Sequence, residues 1–235
     1  MPLRAIFLDA AGTLIRPAEP VGTVYARHAL RRGVETNAEA MNAAFRTAWK
    51  TTPPPLHPPG RPPADDDRSW WQEVASKAFT IALGSTLEEA VMAPLFDSLY
   101  AHYARPEAWA VYEDVRDALE VLGQAHELLV LSNFDRRLRS ILDGHDLSRH
   151  FSHIVISSEV GASKPDARMF EAALRACGAD AGDCLHVGDD PHCDAGGAWL
   201  AGLHFFEVKR PENGLERLVE KVQNRSFSGL RSPLP

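Results

Sequence analysis

The sequence predicts an α/β fold, a parallel sheet with helices on both faces, with a second, all-helical domain inserted after the first strand. Three observations carry this prediction. Short apolar segments alternate with helical patterns along much of the 235-residue chain. Most of these segments are apolar throughout rather than alternating, as strands buried on both faces are. Residues 16 to about 104 break the rhythm and show helical patterns only.

The strands are read at residues 5–8, 128–131, 154–157, 185–187 and 204–208. Val111, Val115, Leu119 and Leu122 recur at helical spacing, as do Leu138, Ile141 and Leu142. The same spacing returns at Met169, Phe170, Ala173 and Leu174, and again at Leu215, Leu218, Val219 and Val222. Strand and helix in alternation imply a Rossmann-like parallel sheet, whose ligands bind outside the carboxyl ends of the strands. The core is therefore expected at residues 1–15 and 105–235, and a helical domain at 16–104. An insertion leaving from the end of the first strand is expected to lie over that edge. Its helices are read at 24–32, 38–50, 68–83 and 87–103, around a proline-rich stretch at 51–63 that cannot be regular helix. Asp65, Asp66 and Asp67 place acids at the positive end of the helix that follows. The polar tail from residue 223 onward is expected to be loosely held.

The net charge is -7, which argues against general binding to nucleic acid or to an anionic membrane. Cys177, Cys184 and Cys193 are odd in number and form no CxxC pair, so they read as reduced thiols rather than as a disulfide framework or zinc site. No apolar run approaches the ~20 residues of a membrane span. A cytoplasmic location is expected. An anionic small substrate would need local positive charge or a metal at its site.

Four strand ends deliver polar groups. The first gives Asp9, the second Ser132 and Asn133, and Lys164 with Pro165 follows the third. The fourth gives Gly188, Asp189 and Asp190, then Asp194. A lone aspartate at a strand end is more often a turn former or helix cap; the set together gives Asp9 its weight. His186 reads as a core histidine, and His192 as a residue that reaches either solvent or the site. Trp70, Trp71 and Trp109 read as packing, with the adjacent pair an alternative lining for the inserted domain's inner face.

The stretches "FLDAAGTL", "LSNFD", "SKPD" and "HVGDDPHCDAGGA" match, in order, the four motifs of the haloacid dehalogenase-like (HAD) hydrolase superfamily. The sequence resembles the subfamily that carries a helical cap between the first and second motifs. The resemblance implies a hydrolase, most simply a Mg²⁺-dependent phosphatase acting on a small phosphorylated metabolite through an aspartyl phosphate. A carboxylate nucleophile at Asp9 would split one hard displacement into two easier ones. Asp9, Asp189 and the Ala11 carbonyl would supply the hard oxygens Mg²⁺ prefers. Lys164 and Ser132, with Asn133, would receive the phosphoryl group. Gly12 and Thr13 would shape the turn over Asp9, Thr13 by bonding locally. Asp194 would orient Lys164 or waters, and Asp190 would serve as ligand, support or start of the loop.

Ala11 departs from the pattern. Phosphatases of this superfamily usually carry a second aspartate there, the general acid–base, a contribution worth roughly 10²–10⁴-fold. Three catalytic readings compete. One is a Mg²⁺ phosphohydrolase that is slow, selective for good leaving groups, or supplied with an acid by the cap or His192. Another is a phosphonatase-like enzyme, with Lys50 or Lys77 as the imine-forming lysine. The last is a 2-haloacid dehalogenase-like enzyme, against which Asp189, Asp190 and Asp194 count. A non-catalytic, phosphate-metabolite-binding member stands beside them. The oligomeric state and the substrate's identity stay open.

Overall fold

The computed structural model describes residues 3–55, 57, 61–63 and 65–224. The first strand, β1 (Ala5–Leu8), is buried along its whole length. A tight turn follows, and then β2 (Ile15–Pro17). Four helices come next: α1 (Val21–Leu30), α2 (Ala38–Thr51), α3 (Arg68–Leu83) and α4 (Glu89–His102). β3 (Trp109–Val111) pairs with β2 in a small two-stranded sheet. The chain continues through α5 (Val115–Gly123), β4 (Glu127–Ser132), α6 (Arg137–Gly144), β5 (His153–Ile156) and α7 (Ser157–Val160). It ends with α8 (Ala167–Cys177), β6 (Cys184–Gly188), α9 (Gly197–Leu200), β7 (His204–Glu207) and α10 (Leu215–Gln223). A wide helical turn, Pro191–Gly196, links β6 to α9.

Two compact units result. The described residues of the first are 3–16, 57, 61–63 and 111–224; those of the second are 17–55 and 65–110. The first unit holds a five-stranded sheet in the order β5-β4-β1-β6-β7. All of its pairings are parallel, as the buried, non-alternating strands predict. Leu8 lies opposite Val130 on one side and Val187 on the other, so Asp9 leaves β1 level with Leu131 and Gly188. This register gathers the polar strand ends at one edge. Phe7, Leu129 and Leu131 pack with Met169, Phe170 and Ala173 of α8 and with Phe205 of β7. α8 turns those apolar residues inward at helical spacing, and Asp166 caps its first turn by accepting from the Arg168 N–H.

The second unit has its own core. Val24 and Tyr25 of α1, Met41 of α2, Phe79 of α3 and Leu95 of α4 are buried together. Asn37 caps α2 by accepting from the N–H groups of Glu39 and Ala40. Asp65 accepts the Ser69 N–H at 2.8 Å, an acid at the start of α3. Trp49, Trp70 and Trp71 pack ring on ring, with centroids 5.0–5.3 Å apart.

Three readings of the sequence need correction. Val111 belongs to β3, not to the helical series that begins at Val115; a three-residue strand is too short to show a period. The third long strand ends at Ile156, and Ser157 opens α7, because the backbone winds into a single helical turn there. Within the proline-rich stretch, His57 and Arg61–Pro63 cluster with the first unit. Proline says what a segment cannot be, not what it packs on. A Cβ on Gly161 would sit 2.5 Å from the Arg61 carbonyl oxygen, and the φ of Gly161 is +71°. Leu56 and residues 58–60 lie outside the described residues, as does the tail beyond Asn224.

Candidate active site

Asp9 stands at the carboxyl end of β1, buried, with its N–H donated to the Val187 carbonyl at 2.9 Å. The chain then turns back on itself. Leu14 and Ile15 both donate to the Ala10 carbonyl, and Gly12 donates to the Ile15 carbonyl at 2.8 Å. Gly12 has φ +91°, and a Cβ there would lie 2.5 Å from Asp189 Oδ2. Glycine is therefore needed both for the turn and for the approach to Asp189. Thr13 does not hold the turn through its hydroxyl. Its Oγ1 is buried without a hydrogen-bond partner among the described residues, and its carbonyl instead accepts from Arg210 Nη2 at 2.7 Å. Ala11 is exposed.

Lys164 is the centre of the arrangement. Its buried Nζ donates to Asp9 Oδ1 at 2.8 Å, to Asp194 Oδ1 at 2.6 Å and to the Leu131 carbonyl at 2.9 Å. All three ammonium hydrogens thus have acceptors, the condition under which a charge can be buried. Ser132 is buried beside the Asp9 carboxylate, whose ionised form it favours. Asn133 does something the sequence did not show. Its Oδ1 accepts the Lys164 N–H at 2.6 Å and its Nδ2 donates to the Lys164 carbonyl at 2.9 Å. The amide is engaged in locking the two motif loops together, which corrects the expectation that it is offered to substrate.

Asp194 is saturated with protein partners. Besides Lys164, its Oδ1 lies 2.8 Å from His186 Nε2, and its Oδ2 accepts the Asp190 N–H at 3.0 Å. Asp190 accepts the N–H groups of His192 and Cys193, which makes it the cap of the Pro191–Gly196 turn. His192 is exposed. His186 is more than core filling: its ring bridges Asp194 and the Phe7 carbonyl, 3.1 Å from Nδ1. Its apolar strand neighbours hide this in the sequence. The only signal is an aspartate eight residues on, across a turn.

Burial dominates the electrostatics, and the neighbours decide its outcome. Burial pushes the Asp9 carboxyl up, and Lys164 only partly offsets this. Burial would also raise Asp194, but Lys164 and His186 overcome it and hold the carboxyl well below the usual range. For Lys164, burial is outweighed by Asp194 and Asp9, which hold the ammonium above its ordinary value. Asp189 is exposed at the rim of the cluster, but partial desolvation of its carboxyl and the charges of Asp9 and Asp194 push it up to about 7.

Asp9, Asp189 and Asp194 each offer an oxygen within 4.8 Å of the others. Hard carboxylate oxygens gathered in this way are the ligand type a small divalent cation such as Mg²⁺ takes, with the rest of its octahedron left to waters and substrate. Three carboxylates also outnumber the one ammonium. Asp9 and Asp189 have fewer protein partners than Asp194, whose oxygens already accept from Lys164, His186 and Asp190.

The family profile for haloacid dehalogenase-like hydrolase matches residues 3–202. The chain belongs to the haloacid dehalogenase-like hydrolases. It is 33% identical over 213 residues to human haloacid dehalogenase-like hydrolase domain-containing protein 3, covering 90% of this chain and 84% of that protein. Among solved structures, the magnesium-bound HAD-hydrolase YfnB from Bacillus subtilis superposes with a TM-score of 0.68 at 17% identity, covering 95% of this chain and 100% of that one. L-2-haloacid dehalogenase from Xanthobacter autotrophicus gives 0.66 at 20% identity, covering 98% and 86%. These likenesses establish the α/β fold of the HAD-like hydrolases. No helix among the described residues is long and apolar enough to cross a membrane.

Proposed function

We propose that this HAD-like hydrolase is a Mg²⁺-dependent phosphohydrolase that acts on a small phosphorylated metabolite through a phosphoenzyme on Asp9. The observation that carries the reading is the Asp9–Lys164–Asp194 chain of buried charges, with Asp189 set against the Gly12 turn beside it. Asp9, Asp189 and the Ala11 carbonyl would hold the ion, as the bound magnesium of YfnB suggests for a protein of this fold. When bound, the ion supplies positive charge that lets two anions approach and polarises the phosphoryl group.

The chain's own residues do the rest. Lys164 fixes Asp9 Oδ1, which leaves Oδ2 to attack phosphorus; the P–O bond to the leaving group breaks as the acyl phosphate forms. Lys164 and Ser132 stabilise charge on the phosphoryl oxygens. Water then attacks phosphorus, releases phosphate and restores the carboxylate. Asp194 and His186 hold the ammonium in place throughout. With alanine at position 11, no carboxylate protonates the leaving oxygen, so good leaving groups are favoured. The inserted helical unit would act as a cap that selects substrate and excludes water.

The test is turnover of p-nitrophenyl phosphate and acetyl phosphate with and without Mg²⁺, with chloropropionate as a parallel substrate. Mg²⁺-dependent phosphate release is expected. No phosphate release, no Mg²⁺ binding and no BeF₃⁻ adduct on Asp9 would overturn the reading, and chloride release would replace it with a dehalogenase. That outcome is disfavoured because a haloacid's carboxylate would face Asp9, Asp189 and Asp194. Of the two lysines considered for imine chemistry, Lys77 donates to the Thr51 carbonyl at 2.8 Å and Lys50 is exposed.

Two further results are expected. Ala11→Asp should raise turnover of alkyl phosphates by about 10²-fold or more, with a smaller effect on p-nitrophenyl phosphate. An equal change on both substrates would show that Ala11 is not simply a missing acid. The raised Asp189 carboxyl also predicts a pH dependence of metal binding. Its ordinary value is near 3.8 and its folded value about 7, so between these the native state holds the extra proton. The stability that this proton confers is complete below about 4 and is lost as pH rises through about 7. A cation restores it only to the ionised form. The rise in melting temperature on adding Mg²⁺ should therefore be small at pH 5.5 and large at pH 8; a pH-independent rise would remove Asp189 from the metal site.

A further inference from the structure

The turn that follows Asp9 is held from outside the catalytic set. Arg210 comes from the segment between β7 and α10. Its Nη2 donates to the Thr13 carbonyl at 2.7 Å, and its Nη1 lies 2.6 Å from both oxygens of Asp114. The guanidinium carbon lies over Tyr112, 4.2 Å from the ring centroid. Tyr112 in turn donates its N–H to the Leu14 carbonyl at 3.1 Å. Asp114 accepts the Leu215 N–H at 2.6 Å at the start of α10. Arg210 and Asp114 are mostly buried, with side chains 17% and 15% exposed. A planar fork set over a ring and paired to a carboxylate keeps little freedom. Thr13 has no side-chain hydrogen bond of its own among the described residues, and its carbonyl is held by Arg210. On its other side the turn meets Asp189 through Gly12.

We propose that Arg210 is a positioning residue: by holding the Thr13 carbonyl it sets the Gly12 turn against Asp189. The inference rests on the Mg²⁺ reading of that site for its catalytic consequence, and on geometry alone for the clamp. Arg210 touches no reacting atom. It acts on the turn beside the metal ligands; contacts that orient ligands from outside typically cost 10–100-fold in metal affinity or activity when lost.

The experiment uses the full chain with Arg210→Met and Arg210→Lys, followed by hydrogen–deuterium exchange and by Mg²⁺ titration calorimetry. In Arg210→Met, the amides of Gly12, Leu14 and Ile15 should exchange about tenfold faster or more, and Mg²⁺ affinity should fall at least about tenfold. Arg210→Lys keeps the charge and N–H donors but loses the planar fork, and should recover part of both. Wild-type exchange at residues 12–15 would overturn the clamp. So would faster exchange confined to residues 214–223, which would make Arg210 a brace for α10 only. If the wild-type protein binds no Mg²⁺, the metal reading falls by itself, and the exchange pattern still decides for or against the clamp.

Discussion

Asp9→Asn is expected to abolish hydrolysis of p-nitrophenyl phosphate, a loss of at least about 10⁴-fold, the scale on which removing a nucleophile acts. The substitution keeps the side chain's shape. It removes the anionic oxygen that attacks phosphorus, and a carboxamide cannot form the acyl phosphate. The fold should tolerate it. Burial penalises the Asp9 charge more than Lys164 relieves it, so a neutral isostere lifts a penalty from the native state. The melting temperature should be unchanged or higher while turnover disappears. Loss of activity with an intact melting curve, and no BeF₃⁻ adduct by fluorine NMR, is the expected pair. Turnover within tenfold of wild type would refute Asp9 as nucleophile whatever the stability.

Lys164→Met should act on stability as well as on rate. The ammonium is the shared counter-ion of two buried carboxylates, and methionine of similar length leaves Asp9 and Asp194 facing each other without it. Breaking one side of a buried ion pair typically costs 3–5 kcal/mol, so a loss of about that size is expected in urea unfolding. The pH dependence gives a second signature. In the wild-type protein Asp194 is held below the ordinary range, so its contribution is present above about 4 and is lost on acidification. In the variant the sign reverses: protonating the stranded carboxyls relieves repulsion, and the protein should gain stability as pH falls from 7 toward 5. Adding Asp9→Asn should restore part of the loss. A single-variant effect below about 1 kcal/mol would mean that other groups compensate the carboxylates.

Residues that end strands were legible in the sequence. Asp9, Ser132 and Asp189 sit where an apolar run stops, and a parallel register must bring such ends to one edge. Lys164 and Asp194 were legible through the motifs around them. What a side chain reaches across the fold was not. Asn133 and Lys164 are separated by 31 positions, and nothing in either stretch announces that an amide will grip a backbone. His186 looked like core because its strand neighbours are core. Arg210 lies outside every motif, 197 positions from the carbonyl it holds. β2 and β3 escaped because three residues cannot display a period of two.

The path of the chain near Gly161 also constrains how the protein can be cut and rebuilt. Joining residue 16 directly to residue 111 would remove the second unit and, with it, His57 and Arg61–Pro63, which belong to the first. The excised product would lose the backbone that lies on Gly161 and the imidazole 3.4 Å from the Ser163 hydroxyl, on the loop that delivers Lys164. A shortened enzyme therefore needs a spliced-in stretch to stand there. A chimera that borrows another protein's insertion succeeds only if the donor brings its own occupant for that ledge.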